Sequence, residues 1–295
     1  MNQADTPTDE HSFAALRPRL FSIAYRMLGM RADVEDVVQD AWLRWHGSAR
    51  SEIASSEAWL VTVTTRLAID RLRSRKAERE AYIGWWLPEP LVEVDDRPPE
   101  HAAELASEVS VAFMWVLERL SPEERAAFLM RQVFDQDYAD IAAMLNKSEA
   151  NCRQIVHRAQ DRVQQERPRF EVPRESHREL LAAFMQAAGN ADRAAMKALM
   201  SDQVHLVSDG GGKMPSFGRI LRGAGRVAGV FWSVERQHPS QVKYRSALIN
   251  GEPDLLRYID GKLESAQAYI VDAGRIVAVF VIRNPDKLTF APQTV

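Results

Sequence analysis

The apolar residues of this chain change period once. From residue 11 to about residue 200 they recur at helical spacing, and beyond that they alternate as in strands. One chain must therefore build an all-helical part and then an α+β part. At 295 residues it is long enough for two or three small domains, each with its own core. Two stretches interrupt the helical part. Residues 84–104 carry Pro88, Pro90, Pro98 and Pro99 among Glu89, Glu93, Asp95, Asp96, Glu100 and Glu104, which prevents continuous helix. Arg167 to Pro173 forms a second break. The expected division is 11–80 helical, 81–104 an acidic proline-rich linker, 105–167 helical, and 174–290 an α+β domain with an antiparallel sheet.

Local signals refine this outline. Helix is expected to resume near Ala102, and Ser121-Pro122-Glu123-Glu124 is a strong helix start. Residues 138–162 divide as YADIAAML, a short NKS turn and EANCRQIVHRAQDR, the length and break of a helix-turn-helix. Ser176 with Glu179 predicts another capped helix, and a further one is expected over 191–200. Asn250-Gly251 and Asp260-Gly261 read as tight turns between strands.

Two early helices carry opposite charge. In DVEDVVQDAWLRW (33–45), Asp33 is placed to cap the N-terminus, and Val34, Val37, Val38, Ala41 and Trp45 to face a core. Asp36, Gln39, Asp40 and Leu43 share the other side. In WLVTVTTRLAIDRLRSRK (59–76), Leu60, Val63 and Leu67 form the buried stripe, while Arg66, Arg71, Arg73, Arg75, Lys76 and Arg79 make the far end basic. Asp70 lies one turn from Arg66 and is placed to orient it.

The net charge of −3 does not mark a nucleic-acid binder, but whole-chain charge hides basic helices that acidic ones offset. A single cysteine, Cys152, excludes an internal disulfide and lacks metal-ligand spacing. The polar start has no signal-peptide core, and no run reaches the ~18 apolar residues of a membrane span. A cytoplasmic, soluble protein without membrane contact is expected. Asp209-Gly210-Gly211-Gly212-Lys213 lacks the spacing of a phosphate loop. Three glycines after a strand suit an unusual turn better, and no cofactor or metal is expected.

FSIAYRMLG (21–29), the 33–45 helix and AWLVTVTTRLAIDRLRSRK (58–76) resemble region 2 of bacterial extracytoplasmic-function sigma factors, and 117–163 resembles their region 4. WLPEP (86–90), DGGGK (209–213) and NPDKL (284–288) are similar to motifs of the SigJ-type subgroup, which carries a fused SnoaL-like C-terminal domain. The resemblance implies a non-enzymatic initiation factor with core RNA polymerase and promoter DNA as partners. It implies polymerase contact by Asp36, Gln39, Asp40 and Leu43. Recognition of the −10 element is implied for Arg66, Asp70, Arg73 and Arg75, with the 47–56 loop holding an extruded base. Trp59 is either a stacking face for that base or, the weightier reading, a core residue.

The resemblance also implies reading of the −35 element by the helix carrying Ser148, Glu149, Asn151, Arg153, Gln154, His157 and Arg158. Arg153 and Gln154 are suited to base edges and Arg158 to phosphate. Control in cis, in place of a separate anti-sigma factor, is implied for three motifs: Trp86, Leu87, Pro88, Glu89 and Pro90; Asp209 to Lys213; and Asn284, Pro285, Asp286 and Lys287. Trp85, Trp86 and Leu87 are costly to leave in water and should dock.

Two competing readings stand beside this one. SnoaL-like folds include cyclases and isomerases, so the C-terminal domain could be an enzyme or small-molecule sensor with a ligand in its pocket. His205, Asp209 and His238 are the candidate acid–base residues, though no spacing forces any two together. A ligand-sensing repressor using only the helix-turn-helix leaves region 2 unexplained.

Overall fold

The computed structural model describes residues 7–49, 53–94, 110–166 and 173–294, with side chains described from 13 and not at 165–166. Residues 50–52 of the expected base-holding loop lie outside these. So do the acidic stretch from 95, the expected restart of helix near Ala102, and 167–172 of the second break. The chain forms two compact units: Met1–Glu80 with Val116–Glu166, and Ala81–Trp115 with Arg167–Val295.

The first unit is helical. It contains α1 (Pro7–Leu28), α2 (Arg31–His46), α3 (Ser56–Ser74) and α4 (Lys76–Glu80). The division between units falls inside α5 (Val111–Leu117), and α6 (Pro122–Gln132), α7 (Tyr138–Leu145) and α8 (Glu149–Glu166) complete the first unit. Gly29, at φ 67°, makes the break before α2. The expected stripe of α2 is buried from Val34 to Trp45, and each fully buried aliphatic side chain contributes roughly 1.5–3 kcal/mol.

Asp33 does not cap this helix. It lies inside the first turn at 1% exposure, and Met30 is the N-cap without a side-chain bond. Arg71 Nε and Nη2 donate to Asp33 Oδ1 at 3.0 and 2.7 Å, and Arg75 donates to Oδ2. A cap is worth about 1 kcal/mol, whereas a carboxylate buried here without its guanidiniums would cost about 3–5 kcal/mol.

The start signal at Ser121 and the NKS turn are realised as expected. Ser55 Oγ accepts from Ala58 N–H to cap α3, and Ser121 with Glu124 forms a full capping box around Pro122. Asn146 ends α7 in the left-handed region at φ 53°, and Ser148 Oγ accepts from Asn151 N–H as α8 begins. Cys152 is buried on α8 and is free.

The second unit packs α9 (Arg174–Gly189), α10 (Arg193–Ala198) and α11 (Ala224–Gln237) with a seven-stranded sheet. The strands are β1 (Val92–Glu93), β2 (Met200–Asp209), β3 (Leu221–Arg222), β4 (Val242–Ile249), β5 (Glu252–Ile259), β6 (Lys262–Asp272) and β7 (Arg275–Ile282), in the order β1-β4-β5-β6-β7-β2-β3. Phe184 of α9, Phe231 of α11 and Tyr269 of β6 form the aromatic centre of its core. This is the α+β architecture that the SnoaL-like resemblance implies.

Asn250-Gly251 and Asp260-Gly261 both have positive φ, as primed hairpin turns require. Three details differ from expectation. β2 runs parallel to β7 while the other pairs are antiparallel, because the chain passes from β2 through β3, α11 and then β4, β5 and β6 before β7 pairs with it. Helix α9 starts at Arg174 after Pro173, so Ser176 does not cap it. And the supposed linker contributes β1, whose Val92 and Glu93 pair antiparallel with Ile249 and Leu248 of β4.

Candidate functional site: a captured segment and three exposed helix faces

In the second unit, residues 82–94 are held by groups that the sequence keeps far apart. Asp209, at the end of β2, is fully buried. Its Oδ1 accepts from Tyr82 O–H at 2.6 Å and Gly211 N–H at 3.0 Å; its Oδ2 accepts from Leu87 N–H at 2.9 Å and Lys287 Nζ at 2.7 Å. These four bonds fill the acceptor capacity of an ionised carboxylate. Lys287, 2% exposed, also donates to Leu87 O at 2.5 Å and lies 4.0 Å from the Trp86 ring centroid. Asn284 Nδ2 donates to Tyr82 Oη at 2.9 Å, and its Oδ1 accepts from Asp286 N–H at 3.1 Å to shape the turn that presents Lys287.

Leu87, Pro88, Glu89 and Pro90 are buried. Further on, Leu91 N–H donates to Asn250 Oδ1 and Leu91 O accepts from Asn250 N–H. The glycines are sterically required. A Cβ on Gly211, at φ 59°, would lie 2.3 Å from Asn284 Nδ2, and one on Gly210 would lie 2.0 Å from Met214 O. Lys213 pairs with Asp286 at 2.6 Å, but both are more than half exposed and the pair adds little stability. All three motifs, including Trp86 and Pro285, thus meet within one unit. Tyr82, Asn250 and β1 were missed from sequence. The one available signal was Tyr82's place beside an apolar run too short to build its own core.

Three helix faces carry the other candidates. Asp36, Gln39, Asp40 and Leu43 are all exposed on α2, Leu43 at 58%, and Arg71 Nη2 lies 3.6 Å from Asp36. On α3, Arg66 donates to the carbonyls of Ala143 and Met144 at 2.8 and 2.9 Å, satisfying the last turn of α7. Arg73 pairs with Glu123 at 2.6 Å and with Asp70 at 3.3 Å, so Asp70 orients Arg73 and not Arg66. Arg75 is bound to Asp33. Trp59 is half-buried with its ring 5.5 Å from Trp45, and it also lines an open depression of about 500 Å³ with Ser48, Ala49, Ile53, Ala54 and Ser55. Ser148, just before α8, and Glu149, Asn151, Arg153, Gln154, His157 and Arg158 on it are all exposed, opposite buried Cys152, Ile155, Val156 and Ala159. Arg153 pairs with Glu149 at 2.7 Å and lies 4.9 Å from the Tyr138 ring; His157 Nδ1 lies 3.0 Å from Asp161.

The second unit also holds a cavity of about 510 Å³ lined by α11, β2, β5, β7 and the 215–217 loop. Its described lining residues include none of His205, Asp209 and His238. Asp209 is used up by the captured segment, and His205 packs among Trp115 and Phe280. Beside the cavity, burial raises the Glu235 carboxyl to about 7, against opposing effects of Arg257 and Tyr244. The folded unit therefore holds a proton that the unfolded chain releases near 4.5. That contribution is complete below 4.5 and is lost as pH rises through 7. Glu235→Gln should match the parent in thermal stability near pH 5 and exceed it at pH 8, a difference that melting curves across this range will measure.

The helix-turn-helix of α7 and α8 follows six other helices among the described residues, and this helical unit is of the sigma-70 class. The Sigma-70 region 2 model matches residues 13–78, and the Sigma-70 region 4 model matches 111–162. The ECF RNA polymerase sigma factor SigJ of Mycobacterium tuberculosis is 38% identical, covering 95% of this chain and 93% of that protein. The probable ECF RNA polymerase sigma factor SigI of the same species is 29% identical, over 94% and 93%. The crystal structure of M. tuberculosis SigJ covers 97% of this chain and 100% of its own, with a TM-score of 0.79 and 34% identity. The chain belongs to the ECF RNA polymerase sigma factor family. Among the described residues no helix is long and apolar enough to cross a membrane.

Proposed function

We propose that this chain recruits core RNA polymerase to promoters without catalysis of its own, and that its second unit regulates it by holding residues 82–94. The supporting observation is the set of four bonds converging on buried Asp209, two of them from the segment itself. That segment begins two residues after α4 ends at Glu80 and leads toward the region 4 match at 111. Its path therefore limits how the two DNA-reading regions can separate, and a separate anti-sigma factor is not required.

The acidic exposed face of α2 is the polymerase dock, and exposed residues of α8 read the −35 element. The depression beside Trp59 receives an extruded −10 base. Arg66 and Arg73 must leave the Ala143 and Met144 carbonyls and Glu123 before either contacts DNA. Arg75, tied to buried Asp33, serves the fold first.

Co-purification with core polymerase tests the recruitment. The parent chain should be retained, and Asp36→Arg/Asp40→Arg should weaken retention about tenfold, mainly through slower association. Retention that ignores both changes would show that α2 is not the dock.

A further inference from the structure

The cavity of the second unit has an unusual charge balance. Arg226, Arg257 and Arg283 line it, and its described lining residues include no carboxylate. Glu264, 8% exposed, binds two of them: Arg257 donates Nε and Nη2 to Oε2 at 2.8 and 2.6 Å, and Arg283 donates Nε to Oε1. One carboxylate shared by two guanidiniums leaves a positive excess and unused N–H donors. Arg226 is exposed at the rim and has no ion pair among the described residues. Glu235, raised to about 7 by burial, offsets only part of this excess beside Arg257. The rest of the wall is mainly apolar, with Leu206, Phe217, Val230 and Val281, and adds the hydroxyls of Ser208, Ser216 and Ser233.

We infer that this cavity binds a small apolar molecule carrying one carboxylate, and that its occupancy is read by the captured segment. The volume of about 510 Å³ falls in the range of small-molecule sites. Guanidinium forks match a carboxylate in charge and geometry, while the apolar wall takes a hydrocarbon body. A phosphorylated ligand would bring a second charge and a larger hydration shell into the same wall.

Coupling follows from shared residues. Ser208 lines the cavity and precedes Asp209; Arg283 lines it, and its backbone N–H donates to Asp209 O at 2.7 Å. Arg283 also donates to Pro215 O, and Ser216 of the same wall faces Gly84 of the segment. A ligand that draws Arg283 or displaces 215–217 therefore acts directly on the seat of Tyr82 and Leu87.

The test uses the full chain with decanoate and 4-phenylbutyrate against decanol and 4-phenylbutanol, by calorimetry and by amide exchange over 82–94. At least one acid should bind about tenfold tighter than its alcohol. Arg226→Gln should weaken that acid about fivefold without lowering Tm, and Val230→Trp, which fills the apolar part, should abolish binding. Saturation with the acid should change exchange over 82–94. Equal binding of acid and alcohol, no binding of either acid, or unchanged exchange would each overturn the inference. The coupling extends the proposed role of 82–94, yet exchange reads the segment directly. Its failure is thereby distinct from failure of the transcriptional reading.

Discussion

Replacing Asp209 by alanine should free residues 82–94 and destabilise the second unit by about 3–5 kcal/mol, because it strands a buried ammonium. Lys287 is 2% exposed and has no route to water without repacking. Tyr82 O–H and Leu87 N–H lose their acceptor at the same time, and each buried unsatisfied donor costs about 1–3 kcal/mol. Amide exchange at Leu87 should rise toward that of an open strand, and the unit's Tm should fall. The paired change Asp209→Leu/Lys287→Met separates the two effects. It removes both charges together, so most of the stability should return while the segment stays released. If exchange over 82–94 remained slow in the double variant, Asp209 would not be what holds the segment.

The second large effect belongs to the helical unit. Arg71→Ala/Arg75→Ala leaves Asp33 as an unpaired carboxylate at 1% exposure, for a loss of about 3–5 kcal/mol and a Tm decrease on the order of 10 °C. The reverse change, Asp33→Ala, should cost less, since side chains of Arg71 and Arg75 are 37% and 30% exposed and can reach water. Adding Asp33→Asn to the double-arginine variant should restore most of the stability, as a neutral amide tolerates burial better than a charge. Melting by circular dichroism checks all three. An unchanged Tm with lost promoter binding would return Arg75 to the role its position in the basic helix suggests.

These two carboxylates also mark how much the sequence reveals. Periodicity locates the buried faces of α2 and α8, and local chemistry locates the Ser121 capping box, the Asn146 stop and both Asn-Gly and Asp-Gly turns. Those signals act over a few residues and survive in one sequence. Asp33 reads as a cap because its partners lie 38 and 42 residues on, and Arg66 reads as a DNA contact because nothing nearby announces the Ala143 and Met144 carbonyls. The motifs around Trp86, Asp209 and Lys287 were legible as a set only through resemblance. That Tyr82 completes the set and Val92 extends the sheet depends on pairings 127 and more residues apart. No local propensity encodes them. The parallel β2–β7 pair was hidden for the same reason.

Capture of 82–94 by the second unit is proposed to set promoter activity. Run-off transcription with core polymerase tests it most directly, comparing the parent with Asp209→Leu/Lys287→Met. This variant should keep most of its stability and its α2 and α8 faces but lose the capture. A several-fold change in transcript with core binding unaltered is expected, whereas equal transcript from a variant whose segment is demonstrably released would show that the capture does not set promoter activity.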